Sequence, residues 1–270
     1  MKIFEEVEAT GSEIFYRCPR CRSCHDCKHA SNDIISVKEE VEQSLINVSV
    51  TIDFNTNIVK ASLPFISDPT TRLSNNTEKA MKVYQQQIKN LNNPINSKDK
   101  HDILESEAKL QKMGFVEYLY NLPSDVQSDL LSKTSYIIPW RGVWKGNSIS
   151  TPCRIVFVAS SPTPSGYSLN DILAKGRNNL NKLQEFLIRW TIHHVALHTN
   201  VLRIYNTIRL DEKGWRYQLY FWHPNLELNK QPELKVIKTL IYGVRSSGNQ
   251  AEYALRKVAD VSKEEFPEAN

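Results

Sequence analysis

The stretch STPCRIVFVASSPTPSGYSLNDIL, residues 150–173, sets the expected structure of the part of the chain around it. Its run from Arg154 to Ala159 is rich in β-branched and aromatic residues, which predicts a strand. Two prolines and a glycine follow within a few residues and predict a loop. A similar apolar run from Tyr136 to Trp144 predicts another strand ahead of it.

The rest of the section from 136 to 270 mixes strand and helix signals. Strands are predicted at Val195 to Asn200, where apolar residues alternate, and at Arg216 to Trp222 and Val236 to Tyr242. Helical spacing of large apolar residues predicts a helix around 180–190, and a further helix is predicted at Gln250 to Val261. Strands and helices interleave without regular βαβ spacing, so the predicted fold class is α+β.

Two shorter sections precede this one. Residues 1–34 form a basic, Cys-rich segment, and residues 35–135 form a connector with a hairpin and two helices. In the connector, apolar residues alternate over 48–54 and return over 58–63, with a polar turn between, which predicts the hairpin. A helical stripe over 80–91 predicts the first helix, and the second is predicted over about 98–112, with Gly114 just past its end.

Bulk composition sets broad limits. The 270 residues are 40% hydrophobic, enough to bury a core in one large or two modest domains. The sequence lacks a run of about 18 apolar residues, so we expect no membrane partner. The start, MKIFEE, has no apolar segment typical of a secretion signal, so we expect a cytoplasmic or nuclear protein with reduced cysteines.

The net charge of +4 is unevenly distributed. Residues 172–218 hold eight lysine and arginine residues against three acidic ones. Such a basic stretch is compatible with binding the phosphate backbone of a nucleic acid. On basicity alone, an ordinary solvated face is the favoured explanation of the stretch.

Four cysteines lie at a regular spacing near the start of the chain: Cys18, Cys21, Cys24 and Cys27. Thiolates two residues apart can bind one metal ion, so the run is a candidate Zn²⁺ site. Zinc sites normally use two separated pairs, and iron–sulfur runs have a different last spacing, so neither pattern matches closely. The alternative is a basic, Cys-rich segment without metal.

Several motifs follow one another in the section 136–270. They are IPWR (138–141), STPCRIVFVAS (150–160), GYSLNDIL (166–173), ALHTNVLRIY (196–205) and IYGVRSSGNQA (241–251). In this order and spacing, the string resembles the reverse transcriptase of Bel/Pao-type long-terminal-repeat retrotransposons, which are transposable elements. The resemblance implies an incomplete reverse-transcriptase-like fingers/palm region of a retrotransposon polyprotein, preceded by a smaller mixed N-terminal region.

The resemblance also implies roles for particular residues. Arg154 would meet the triphosphate of an incoming nucleotide, since a guanidinium reaches phosphate oxygens well. Gly243 would allow the backbone to approach the nucleotide closely, and Gln250, in the same segment, would line the nucleotide pocket. The family has an Asp where this chain has Val158.

The catalytic carboxylates expected from the resemblance are lacking in this chain. Asn200 stands where the family has the catalytic Asp, and an amide oxygen lacks the charge with which a carboxylate holds Mg²⁺. The family's aromatic-x-Asp-Asp hairpin is missing before the chain ends at Asn270, and the chain contains no Asp-Asp pair. The resemblance therefore implies an inactive RNA-directed DNA polymerase, a pseudoenzyme that does not bind the Mg²⁺ of its relatives.

Three functional hypotheses follow from these observations. In the first, the chain is an inactive reverse-transcriptase-like fragment. In the second, it is a nucleic-acid-binding module that contacts an RNA/DNA template-primer through the 172–218 stretch and aromatics such as Trp190, Tyr205 or Trp215. In the third, it is half of an active polymerase completed by the remainder of the polyprotein.

Overall fold

The computed structural model describes residues 37–133, 136–144, 153–177, 183–192 and 201–263. Helices and short strands alternate irregularly along these residues, which confirms the predicted α+β class. The α-helices are α1 (Val37–Ser49), α2 (Pro69–Arg72), α3 (Thr77–Leu91), α4 (Ser97–Lys112), α5 (Ser124–Lys133), α6 (Leu183–Ile192), α7 (Ile204–Thr207), α8 (Glu212–Trp215) and α9 (Ser247–Ser262). Short 3₁₀ helices span Pro94–Asn96, Leu119–Asn121 and Leu169–Ile172.

The strands of the described residues form three small sheets. They are β1 (Val50–Asp53), β2 (Ile58–Ala61), β3 (Val116–Tyr118), β4 (Trp140–Trp144), β5 (Cys153–Phe157), β6 (Arg209–Leu210), β7 (Leu219–Trp222) and β8 (Glu233–Ile237). The sheet orders are β1-β2-β6, β3-β8-β7 and β4-β5. Strand β2 pairs in parallel with β6, and β3 pairs antiparallel with β8, so two sheets join strands from both sides of position 135.

The hairpin and both helices predicted in the connector are confirmed. Strands β1 and β2 pair antiparallel from Val50–Ala61 to Asp53–Ile58. Helix α3 buries the predicted apolar stripe, and α4 ends just before Gly114, which has a φ of +68°. One detail was wrong: Val48 belongs to α1 rather than to the first strand, and its side chain is exposed because α1 continues to Ser49.

Several predicted strands are shorter in the structure. The strand predicted from Tyr136 begins only at Trp140, because the Asn76 side chain bonds both the N–H and the carbonyl of Ile137, at 2.7 and 2.8 Å. The strand predicted from Arg216 begins at Leu219, after a tight turn. The strand predicted at 236–242 covers Glu233–Ile237 instead. Helix α9 confirms the predicted last helix, and the strand predicted before Asn200 lies outside the described residues.

One hydrophobic core runs through these elements and includes an aromatic cluster. Trp140 on β4 contacts Tyr84 of α3 and Trp222 of β7, with ring centroids 6.5 and 5.0 Å apart. The Trp140 indole N–H also donates to the Phe221 carbonyl at 2.9 Å. Burying rings of this size contributes much of the stability of a small sheet. Among the described residues, the structure contains no helix that is both long and apolar enough to cross a bilayer.

A buried ion pair lies beneath the β3-β8-β7 sheet. The Lys235 ammonium group is fully buried; it donates to Glu107 Oε1 and, at 2.7 Å, to Gln111 Oε1. It also lies 4.0 Å from the centroid of the Tyr118 ring. Burial lowers the pKa of Lys235, and the Glu107 carboxylate opposes that shift. The buried ion pair between Glu107 and Lys235 therefore links α4 to β8.

Candidate nucleotide-facing site

The loop at Gly243 lies directly against the end of β5. Gly243 has a φ of +104°, which glycine adopts readily but which is strained for other residues. A Cβ at this position would lie well under 3.0 Å from the Phe157 carbonyl oxygen. Where the loop and β5 meet, the Phe157 N–H also donates to the Tyr242 carbonyl at 3.4 Å. The absence of a side chain at residue 243 therefore allows the loop to approach β5.

Strand β5 presents Arg154 on its outward face. Cys153, Ile155 and Phe157 are buried, so the alternation of the strand leaves Arg154 exposed. Its guanidinium carbon lies 5.9 Å from the centroid of the Tyr242 ring, within the range of a cation–π contact.

Tyr242 in turn packs against a second tyrosine. Its ring meets Tyr205 of α7 edge-to-face, with centroids 4.5 Å apart and an interplanar angle of 75°. Burial raises the pKa of Tyr205, and the neighbouring Tyr242 hydroxyl adds to that effect. Tyr242 remains exposed on its outer side. An exposed ring held by a second ring is a suitable platform for stacking a base.

On the other side of Gly243, Asn170 contacts the loop through both ends of its amide. Its Nδ2 donates to the Gly243 carbonyl at 2.9 Å, and its Oδ1 accepts from the Arg245 N–H at 2.8 Å. The neighbouring Asp171 accepts from the N–H and hydroxyl of Ser168 in a capping box. These bonds, with a smaller contribution from Arg245, lower the pKa of Asp171.

We call the surface formed by Arg154, Tyr205, Tyr242, Gly243 and Arg245 the Gly243 face. It combines two exposed guanidinium groups with an exposed ring and a backbone segment without a side chain. Guanidinium groups bind phosphate oxygens in a bidentate manner, and rings stack on bases irrespective of sequence. The face therefore has the chemistry needed to hold a nucleotide unit of a nucleic acid.

The structure places Gln250 away from this surface. Its side chain is fully buried at the start of α9, where Nε2 donates to Ser49 Oγ at 2.8 Å and to the Ser62 carbonyl at 2.7 Å. These contacts connect α9 to α1 and β2. The predicted contact between Gln250 and a nucleotide stays a prediction, while the amide observed here is committed to the protein interior.

Three of the eight cations in the predicted basic stretch make contacts with other parts of the protein. Arg209 donates to the Gly114 carbonyl at 2.8 Å, Arg216 forms an ion pair with Asp129 at 2.9 Å, and Arg203 contacts the Met113 sulfur. Of the aromatics suggested for stacking, Trp215 is partly buried and its indole N–H donates to the Leu210 carbonyl, whereas Trp190 on α6 is exposed. The charge count over 172–218 therefore overstates the cations available to a ligand.

The remaining predicted site residues lie outside the described residues. They are Asn200, which the resemblance aligns with a catalytic Asp, and the Cys18, Cys21, Cys24 and Cys27 run. Within the part of the chain that the structure describes, no group of three or more His, Cys, Asp or Glu side chains could hold a metal ion. Asn200 offers a single neutral amide oxygen, which does not fit Mg²⁺.

Two members of this surface, Tyr242 and Arg245, and the adjoining Asn170 were not predicted as site residues. Tyr242 and Arg245 flank Gly243 in sequence, so the glycine itself could have drawn attention to them. Asn170 lies in the Leu169–Ile172 3₁₀ helix, 73 residues before Gly243, and its sequence carries no signal for a contact with that loop. Comparisons with models of known protein families and with curated proteins find no match for this chain.

Proposed function

We propose that this chain is a reverse-transcriptase-like fragment of a Bel/Pao-type retrotransposon polyprotein that binds single-stranded nucleic acid, such as the template of a template-primer, through the Gly243 face. The fragment does not polymerise by itself.

One observation carries this proposal. The resemblance assigns Arg154 and Gly243, which are far apart in sequence, to the same nucleotide-facing site. The Gly243 loop lies against β5, and the Arg154 guanidinium lies over the ring of Tyr242, next to that glycine. Two residues named independently of the structure therefore share one surface, as a common ligand requires. The exposed Arg245, on the other side of the glycine, adds a second cation to it.

The binding chemistry follows from these groups. The guanidinium groups of Arg154 and Arg245 attract phosphate and release counterions, which makes the affinity dependent on salt. The exposed face of Tyr242 stacks on a base, and Tyr205 holds that ring in position. Gly243 contributes by letting its loop lie against β5, which brings Tyr242 next to Arg154. These contacts read no base edge, so we expect little sequence preference.

The test of binding is the affinity of the purified chain for a short fluorescein-labelled single-stranded RNA, measured by anisotropy at several salt concentrations. We expect salt-dependent binding, and we expect Arg154→Ala and Arg245→Ala each to weaken it by about tenfold. Each variant should also reduce the slope of log affinity against log salt by about 0.7, the value for one lost phosphate contact on a single strand.

The matched control is Arg256→Ala. Arg256 is an exposed arginine on α9 that forms an ion pair with Glu252 at 2.7 Å, and its removal changes the net charge equally. We expect this variant to retain affinity close to that of the unaltered chain. Equal losses for all three arginine variants would indicate a general charge effect, and no RNA binding at low salt would contradict the proposed function.

Primer extension tests the second half of the proposal. We expect no extension of an annealed DNA primer on an RNA template by the 270-residue chain, because Asn200 cannot replace a carboxylate in metal binding. Restoring the acid with Asn200→Asp should not restore extension, since the chain has no Asp-Asp pair to supply the remaining carboxylates. Nucleotide incorporation by the unaltered chain would show that it is an active polymerase.

A further inference from the structure

Asn170 makes four hydrogen bonds that join three segments. Its backbone N–H donates to the Ala159 carbonyl at 3.1 Å, just beyond the end of β5. Its side-chain amide donates to Gly243 and accepts from the Arg245 N–H, and its own carbonyl accepts from Arg245 Nη1 at 3.4 Å. A single asparagine therefore bonds Ala159 just after β5, the Gly243 loop and the Arg245 side chain.

The amide orientation is determined by its partners. A carbonyl can only accept a hydrogen bond and a backbone N–H can only donate one, so Nδ2 must face Gly243 and Oδ1 must face Arg245. Asparagine is the only short side chain that offers a donor and an acceptor on one planar group. Alanine at residue 170 would remove both bonds, leaving the loop attached on this side only through the main chain.

We infer that Asn170 is a positioning residue that holds the Gly243 loop in its left-handed conformation and directs Arg245 toward a bound phosphate. The inference rests on the proposed function. Asn170 bonds Arg245 at both its main chain and its guanidinium group, and the second of these bonds occupies one of the five guanidinium donors. The other donors of this exposed side chain stay available to a ligand. The Asp171 carboxylate nearby is engaged by Ser168 through the capping box.

The test combines Asn170→Ala with Arg245→Ala. If Asn170 acts through Arg245, Asn170→Ala alone should weaken binding of the labelled RNA by about 5- to 10-fold. In the Arg245→Ala background, the same change should have little further effect, because the group that it positions is already absent. A loss of affinity that persists undiminished in that background would overturn the inference.

Asn249→Ala is the matched control for stability. Asn249 is an asparagine near the start of α9, and its Nδ2 donates to the carbonyls of Lys175 and Arg177 at 3.2 and 2.8 Å. These bonds hold the segment 175–177, so this variant should lose stability without losing affinity for RNA. If Asn170→Ala binds RNA as tightly as Asn249→Ala does, Asn170 has only a structural role and the inference is wrong.

Hydrogen exchange separates this inference from the proposed function. In the unaltered chain the Arg245 N–H is bonded to Asn170, so Asn170→Ala should accelerate its exchange while leaving amides of α3 and α4 unchanged. If the unaltered chain binds no RNA, both the proposed function and the phosphate-binding role of Arg245 are wrong. Hydrogen exchange still decides in that case whether Asn170 holds the loop. Unchanged exchange at Arg245 would overturn the positioning role even where RNA binds.

Discussion

Replacing Gly243 by alanine is expected to lower the free energy of unfolding by about 2–6 kcal/mol. The first contribution is backbone strain at a φ of +104°, which costs about 1–3 kcal/mol for a residue with a side chain. The second is the overlap between the new Cβ and the Phe157 carbonyl oxygen, comparable to overpacking a core, at about 1–3 kcal/mol. The obstructing atom belongs to the main chain of β5, so it cannot rotate away as a side chain would.

Gly166→Ala is the control for the first contribution alone. Gly166 has a comparable φ of +89°, but a Cβ there would meet no atom within 4 Å. We expect this variant to lose only about 1–2 kcal/mol, the cost of a left-handed backbone without a clash. Urea denaturation with an unchanged m-value measures both losses. Equal losses for the two variants would mean that the Gly243 loop does not press against β5.

Gly243→Ala also bears on binding, because the loop that it displaces carries Tyr242 and Arg245. Any protein that remains folded should bind RNA more weakly than the Gly166→Ala variant. The two affinities are compared without urea and at a temperature at which both variants are folded. A lower affinity then reflects weaker binding and not a smaller fraction of native protein.

The second large effect is expected at the buried Lys235–Glu107 pair. Lys235→Met or Glu107→Leu alone should cost about 3–5 kcal/mol, because each leaves a buried charge without its partner. In the Glu107→Leu variant, the Tyr220 hydroxyl also loses its acceptor, at 3.2 Å. The double variant replaces both charges by apolar groups, so its loss should be well below the sum of the single losses.

The exposed pair Lys109–Glu105 serves as the comparison. Its atoms lie 2.7 Å apart, within the distance of a strong ion pair, but both side chains are about half exposed. Solvent screens such pairs, so Lys109→Met should have little effect on stability. Chemical denaturation of the single and double variants yields the coupling energy. Additive losses at Lys235 and Glu107 would show that the two charges do not depend on each other in the native state.

Local patterns in the sequence predicted several of the elements correctly. The hairpin of β1 and β2, helices α3 and α4, and helix α9 have side chains whose spacing matches the period of a strand or a helix. The apolar run from Arg154 to Ala159 likewise predicted strand β5, and the structure shows Arg154 on its exposed side. The ends were less accurate, as at Tyr136, because the Asn76 side chain takes the bonds that a longer strand would have used.

Within the candidate site, the sequence by itself determined which residue types are present, and the resemblance singled out Arg154 and Gly243. The tertiary structure decided which groups share a surface. It brought Gly243 against Phe157 and joined Asn170 to Arg245; it buried Lys235 and Gln250, and used Arg209 and Arg216 in internal contacts. The physical reason is that periodicity records only neighbours within a turn or a strand. Contacts between distant segments depend on the path of the whole chain, so a lysine or glutamine that reads as polar surface can lie in the core once its partners surround it.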